Sequence, residues 1–140
     1  MTRINVVPVQ TLKNDHLLAE YKEITRPFNK VIKRLEKGKT DINIPKSYRL
    51  GSGHETFFFD KLKWLYNRYH ALRIELIRRG FKIDLEKYDE IRCSFYRQLS
   101  STQFWNDWQP TPEDMYLNMA RLCVRSNMDN VLDEIRYENI

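Results

Sequence analysis

Residues 14–38 read NDHLLAEYKEITRPFNKVIKRLEKG, and this stretch decides the fold class. Its apolar residues recur in alternating steps of four and three, which places them on one face of an α-helix. They are Leu17, Tyr21, Ile24, Phe28, Val31 and Leu35. Gly38 then favours a helix end. The stretch predicts an amphipathic helix over residues 15–37, with Asn14 or Asp15 as its N-terminal cap.

Pro27 lies inside this predicted helix. Its ring crowds the carbonyl of Glu23, four residues back, and it has no amide proton to donate to that carbonyl. The sequence therefore predicts a kink near Glu23, which either aims the carboxylate or bends the helix around the core.

The rest of the chain predicts two further long helices. One covers about residues 55–79 and ends at Gly80, and the other begins at Thr111 and continues to about residue 136. Their core stripes are Phe58, Leu62, Leu65, Tyr69, Leu72 and Leu76 in the first, and Leu117, Val124, Met128, Val131 and Ile135 in the second. Residues 81–109 are either irregular or carry a short helix near 85–98.

The N-terminal segment, residues 2–9, is predicted to be extended, because Pro8 discourages helix and three valines favour extended backbone. At 140 residues the chain is long enough for an ordinary buried core. We therefore expect an all-α fold. It would be a single compact domain over residues 1–140, with three main helices and the extended N-terminal segment threaded between them.

The formal net charge of +5 conceals an asymmetry along the chain. Residues 1–100 hold 21 Lys/Arg and 12 Asp/Glu, a net of +9, whereas residues 101–140 hold 3 and 7, a net of −4. A basic body suits a partner that carries phosphates, and the same excess also serves solubility. Residues 126–140 have a net charge of −3, so they either oppose the phosphates of such a partner or fold onto the body.

The sequence argues against several other classes of protein. No apolar run approaches the roughly 20 residues that cross a bilayer, and no signal peptide is visible. Cys93 and Cys123 are too few and too far apart for a metal motif, and the three histidines show no ligand spacing. We expect a cytoplasmic monomer with reduced thiols, without a metal or cofactor and without a membrane partner.

Two conspicuous motifs have structural interpretations. The run Gly51-Ser52-Gly53 lacks the Gly-Lys-Ser/Thr ending of a phosphate loop, so it is interpreted as a tight turn before the second helix. Trp105 and Trp108 are interpreted as core or cap packing and not as platforms that stack on bases.

The start of the chain offers a nucleophile. If Met1 is removed, the chain begins at Thr2 with a free α-amine. Such an amine has a reference pKa of about 7.7–8.0, far below the lysine value of about 10.4. It is therefore a usable neutral nucleophile near pH 7.

Three blocks of sequence occur in order over residues 2–125. They are TRIN at 2–5 with HLLAEYKE at 16–23 and Arg26, LGSGHETFFFDKL at 50–62, and WNDWQPTPED at 105–114 with ARL at 120–122. Together these blocks resemble the pyrimidine-dimer DNA glycosylase family of phages and large viruses, the phage endonuclease V type.

The resemblance implies a DNA repair glycosylase with abasic-site lyase activity on UV-damaged double-stranded DNA, located in the host cytoplasm for a viral protein. It implies that the Thr2 amine forms an imine with the deoxyribose and that Glu23 is the acid/base and electrostatic group. The DNA-binding residues that it implies are Arg3, His16, Lys22, Arg26, Arg121 and Arg125. Without the resemblance, the charged face of the first helix would be interpreted as a solvated surface with one ion pair.

The chain departs from the family pattern at three places. Lys22 stands where arginine is usual, which keeps the charge and loses the bidentate fork. Asp15 stands where glutamine is common. Residues 126–140 are acidic, where a basic aromatic tail helps lesion binding in a family member. The alternative function is therefore a helical DNA-binding relative that has lost catalysis or acts on another lesion or partner.

Overall fold

The fold is built from helices, in a computed structural model that describes residues 2–123. In chain order they are a 3-10 turn Val9–Thr11, α1 Asn14–Glu23, α2 Thr25–Glu36, α3 His54–Phe57, a 3-10 turn Phe58–Asp60, α4 Leu62–Arg78, α5 Leu85–Leu99 and α6 over residues 112–123. No strand is present in this part of the chain. The prediction of an all-α fold is confirmed.

The first predicted helix is interrupted at Ile24, one residue after Glu23. The amide of Ile24 still donates to the carbonyl of Glu20, at 2.8 Å, and a new helix begins at Thr25. This break places Pro27 in the first turn of α2, where a missing amide proton costs no helical hydrogen bond. The interruption therefore falls where the sequence predicts a kink.

The predicted cap of this helix is wrong. Lys13 precedes α1, and no side-chain cap hydrogen bond is present there. The Asp15 carboxylate instead accepts the amide of His16, at 2.9 Å. Asn14, already inside the helix, accepts a hydrogen bond from Arg79 across the α1–α4 contact.

The second predicted helix is divided into α3, a 3-10 turn and α4, so its prediction as one helix is wrong. The division at Lys61 has a tertiary cause. The amide of Leu62 donates to the carbonyl of Phe104 at 3.1 Å, and that of Trp64 donates to Asn106 at 3.3 Å. These two carbonyls satisfy amides of the first turn of α4, which would otherwise lack partners at a helix start.

Helix α5 is a full element of 15 residues. The Asp84 carboxylate caps it by accepting the amide of Lys87. Its Phe95 ring stacks on Phe28 of α2, with the ring centroids 4.4 Å apart. For residues 81–109 the sequence allowed either irregular structure or a short helix near 85–98. The structure has a complete helix there.

Helix α6 starts as predicted, because Thr111 and Asp114 accept each other's backbone amides in a capping box. Its buried face differs from the predicted stripe. Leu117 is 40% exposed, while the next residue, Asn118, is fully buried. The rest of that stripe, from Val124 onward, lies outside the described residues.

The core confirms the stripes predicted on the first two helical stretches. Leu17, Ile24, Phe28, Val31, Phe58, Leu62, Leu65, Tyr69, Leu72 and Leu76 are buried, and Tyr21 and Leu35 pack against them partly exposed. Trp105 and Trp108 also pack against the core, as predicted. No helix among the described residues is long and apolar enough to cross a membrane.

Candidate active site

Most of the N-terminal segment, residues 2–9, is buried among the helices, and side chains of α3 and α6 accept hydrogen bonds from its backbone. The amide of Ile4 donates to Nε2 of His54 at 2.8 Å. The amides of Val6 and Val7 both donate to Oδ1 of Asn118, at 2.7 and 3.2 Å. Buried polar backbone atoms need such partners, so these bonds fix the path of the segment at Ile4, Val6 and Val7.

A buried ion pair lies beneath the segment. The guanidinium of Arg68 donates to both carboxylate oxygens of Glu20, from Nε at 2.5 Å and from Nη2 at 3.1 Å. Its Nη1 donates to the carbonyl of Val7 at 2.8 Å. Asn5 connects the pair to α6, because its Nδ2 donates to Glu20 at 2.8 Å and its Oδ1 accepts from Asn118 at 2.8 Å. The charges are paired and hydrogen-bonded, as buried charges require.

Replacing Arg68 with methionine is expected to lower the free energy of unfolding by about 3–5 kcal/mol, because the Glu20 carboxylate would remain buried without its partner. The double variant Glu20→Leu with Arg68→Met is expected to lose less than the single variant. Urea denaturation of both variants measures the difference. Arg73→Met is the matched control, since Arg73 lies over the Tyr88 ring on the same helix. A loss below about 1 kcal/mol for Arg68→Met would contradict a buried pair.

Thr2 begins the buried segment and lies beside Arg26 and Glu23. Thr2 is 7% exposed. Nη1 of Arg26 is 3.5 Å from Oγ1 of Thr2 and 3.5 Å from Oε1 of Glu23. The two oxygens therefore lie no farther apart than twice 3.5 Å, around one guanidinium nitrogen. The side chains of Arg26 and Glu23 are 49% and 16% exposed, so both remain open to a ligand.

This group lies where α1 meets α2. Glu23 is the last residue of α1, and Arg26 lies in the first turn of α2. Both therefore stand at the junction, beside the entry of the N-terminal segment. Arg3 follows Thr2 and is partly exposed, and Lys22 is exposed. Arg3, Lys22 and Arg26 thus place three positive charges on residues that adjoin Thr2 and Glu23 in the chain or contact them, and we call these three residues the cationic rim.

His16 occupies a different place from this group. It lines an apolar groove of about 430 Å³ beside the start of α1. The other lining residues are Val7, Pro8, Thr11, Leu12, Lys13, Met115, Met119, Leu122 and Cys123. Its Nε2 is 3.9 Å from the Asp15 carboxylate. Contacts within the described residues therefore join His16 to the groove and not to Thr2.

Arg121 belongs to the network under the segment. Its Nη2 donates to Oδ1 of Asn5. Burial lowers the pKa of the Arg121 guanidinium, and Arg3 adds to this, whereas Tyr48, Glu20 and Glu23 act in the opposite direction. A guanidinium still remains charged at any physiological pH. Arg121 thus lies within electrostatic reach of Glu23, while Arg125 lies outside the described residues.

Sequence reasoning missed five residues of this site: Asn5, Glu20, His54, Arg68 and Asn118. A signal for two of them was present. Glu20 falls within the apolar stripe of the first helix, and Arg68 falls within the stripe of the second. Charges of opposite sign on two core-facing stripes indicate a buried ion pair, because an unpaired charge there would be too costly.

No group of three or more His, Cys, Asp or Glu side chains within residues 2–123 has an arrangement that could hold a metal ion. Both cysteines, Cys93 and Cys123, are free and exposed.

The sequence was compared with models of known protein families. The family model described as pyrimidine dimer DNA glycosylase matches residues 1–89. The matched span includes the N-terminal segment, α1 to α4 and the residues Thr2, Glu23, Arg26, His54 and Arg68. Helix α6 lies outside it. The match covers well over half of the chain, and this protein belongs to the pyrimidine dimer DNA glycosylase family.

Proposed function

We propose that this protein removes a base at pyrimidine dimers in double-stranded DNA and then cleaves the strand through an imine on the Thr2 amine. Membership of the family supports the glycosylase activity in general. One observation supports the finer mechanism: a single nitrogen of Arg26 contacts both Thr2 and Glu23. A nucleophile, a carboxylate and a cation are thereby grouped at the end of a rigidly held segment.

The proposed reaction begins at C1′ of the damaged nucleotide. The amine nitrogen of Thr2 forms a bond to C1′ while the bond from C1′ to the base breaks, and the base leaves with the electron pair of that bond. The nitrogen loses a proton and O4′ gains one. The C1′–O4′ bond then breaks as the nitrogen lone pair forms a double bond to C1′, which leaves a protonated, cationic imine. Removal of a C2′ proton then expels the 3′ phosphate as the C3′–O bond breaks. Water finally hydrolyses the imine and restores the amine.

Glu23 is the proposed acid/base. Its carboxylate can stabilise the cationic imine and transfer the protons that ring opening and elimination require. Its partial exposure beside Thr2 supports this role, because a substrate sugar would need access to it. Arg26 would hold the carboxylate in place from 3.5 Å.

Arg3, Lys22 and Arg26 are the proposed phosphate contacts, because they form the cationic rim of the site. The proposal also includes His16, Arg121 and Arg125 on the DNA-binding side. For Arg121 the hydrogen bond to Asn5 favours a supporting role beneath the segment.

Borohydride reduction tests the imine. Protein whose chain begins at Thr2 is mixed with duplex DNA that contains one abasic site, and sodium borohydride is added. A covalent protein–DNA band is expected on a denaturing gel, since borohydride reduces an imine to a stable amine. Omission of borohydride is the control. Binding without a trapped band would instead support the catalytically inactive relative.

A further inference from the structure

The run Gly51-Ser52-Gly53 forms the turn that places His54 beside the N-terminal segment. Gly51 and Gly53 have φ angles of +70° and +85°, which favour glycine over other residues. The carbonyl of Gly51 accepts the amide of His54 at 3.1 Å and closes the turn. A Cβ atom on Gly53 would lie 3.2 Å from Arg49 and from Pro45. This turn therefore starts α3 with the His54 ring directed at Ile4.

The two hydrogen bonds of the ring fix its protonation state. Nε2 of His54 accepts the amide of Ile4 at 2.8 Å, so this nitrogen carries no proton. Nδ1 lies 2.7 Å from the carbonyl of Arg49, which can only accept, so Nδ1 carries the proton. His54 is 4% exposed and packs edge to face with Tyr48 and Phe58. The buried ring is thus a neutral imidazole with one acceptor nitrogen.

We propose that His54 is a positioning residue for the Thr2 amine: its neutral Nε2 holds the Ile4 amide, and protonation of the ring releases the N-terminal residue. The inference rests on the proposed function of Thr2. Ile4 is two residues from the nucleophile, so its amide is a close backbone anchor of the reacting atom. A protonated Nε2 would present a second donor to the Ile4 amide, and two donors cannot bond.

The surroundings of His54 favour the neutral ring. Burial lowers its pKa, and Arg121 acts in the same direction. The hydrogen bond to the Arg49 carbonyl, Glu55 and Glu20 oppose this shift. As the pH falls, His54 is protonated in the unfolded chain before it is protonated in the folded protein, because its pKa is lower in the folded state. The contribution of His54 to the free energy of unfolding is therefore complete above about pH 6.5. It is lost as the pH falls below that value.

The test compares three variants with the wild type, all of them full-length proteins that begin at Thr2. His54→Phe keeps the ring size and removes the acceptor, whereas His54→Gln places an amide oxygen near the position of Nε2. His70→Phe is the matched control, because His70 is a partly buried histidine that is hydrogen-bonded to Tyr88 and not to the N-terminal segment. At pH 7.5 we expect borohydride trapping on abasic DNA to slow by about tenfold or more in His54→Phe, and far less in His54→Gln and His70→Phe. DNA affinity should remain nearly unchanged in all three.

The dependence of the trapping rate on pH separates positioning from a merely structural role. Protonation of the amine alone makes the trapping rate fall about tenfold per pH unit in acid. Protonation of His54 would also release the Ile4 amide, so the rate would depend on two protons and fall more steeply. We expect the wild-type curve to become steeper at low pH, and that of His54→Gln to keep the shallower slope. Circular dichroism at each pH shows whether the fold is intact. Equal trapping in wild type and His54→Phe, or equal slopes in wild type and His54→Gln, would overturn the proposal.

Nitrogen-15 NMR of the imidazole tests the anchor without any reaction. We expect an unprotonated Nε2 and a protonated Nδ1 at pH 7.5, and an Ile4 amide whose exchange with solvent becomes faster in His54→Phe. A proton on Nε2 would overturn the positioning role even if trapping succeeds. Wild-type protein that shows this NMR pattern and is never trapped would overturn the imine mechanism, and with it the role in positioning an amine.

Discussion

One residue added ahead of Thr2 is expected to abolish borohydride trapping. The added peptide bond converts the α-amine into an amide, whose nitrogen lone pair is delocalised and is no longer a nucleophile. The rim of Arg3, Lys22 and Arg26 remains, and DNA affinity should change by less than about threefold.

The comparison uses two preparations that differ by a single glycine before Thr2. Trapping on abasic DNA is measured beside equilibrium binding to the same duplex. An aminopeptidase that removes the glycine should restore the trapped band, which excludes damage to the rest of the protein. If the extended protein is trapped in equal yield, a lysine forms the imine, and mass spectrometry of the adduct peptide will identify it.

Glu23→Gln is expected to slow both base removal and strand cleavage by about 10²–10⁴-fold, because the amide cannot accept the protons that the steps release. The substitution keeps the size of the side chain and removes only a partly exposed contact with Arg26. The free energy of unfolding should therefore change by less than about 1 kcal/mol. A lower reaction rate in this variant would then result from the lost proton transfer and not from altered packing.

Single-turnover assays on dimer-containing and abasic duplexes measure the two steps separately. Asp60→Asn is the matched control. The Asp60 carboxylate lies 2.7 Å from Nζ of Lys61 and pairs with that residue and not with Arg26. Near-normal rates in Glu23→Gln would show that another group transfers the protons. Loss of DNA binding in this variant would instead show that Glu23 supports the cationic rim.

The sequence predicts the helical faces well, because the spacing of apolar residues is a local property of the chain. The stripe from Leu17 to Leu35 becomes core even though the helix divides at Ile24. Pro27 marks that division from within the sequence. Gly38 and Gly80 have φ angles of +70° and +92°, and α2 and α4 end just before them.

The errors of prediction arise from contacts that are distant in sequence. The break at Lys61 depends on carbonyls of Phe104 and Asn106, more than forty residues later, and no local pattern encodes them. Leu117 has the helical spacing of a core residue, yet the adjacent Asn118 takes the buried position because the N-terminal segment needs an acceptor there.

In the candidate site, too, some residues could be predicted and others depend on contacts that are distant in sequence. Resemblance supplied Thr2, Glu23 and Arg26, and the structure brings these three together. The residues that hold the segment were not predicted, because Glu20 and Arg68 are 48 positions apart and His54 and Ile4 are 50 apart. Propensity and spacing do not reveal which distant side chain will accept a particular amide.

The contact between Val6 and Asn118 has a consequence for the order of events during biosynthesis. The two residues are separated by 112 positions, so a ribosome exposes Val6 long before it has made Asn118. Until α6 emerges, the amides of Val6 and Val7 have no Asn118 side chain to donate to, and the buried path of the N-terminal segment is incomplete. The first residues of the chain therefore reach their final position among the last, after α6 has been synthesised.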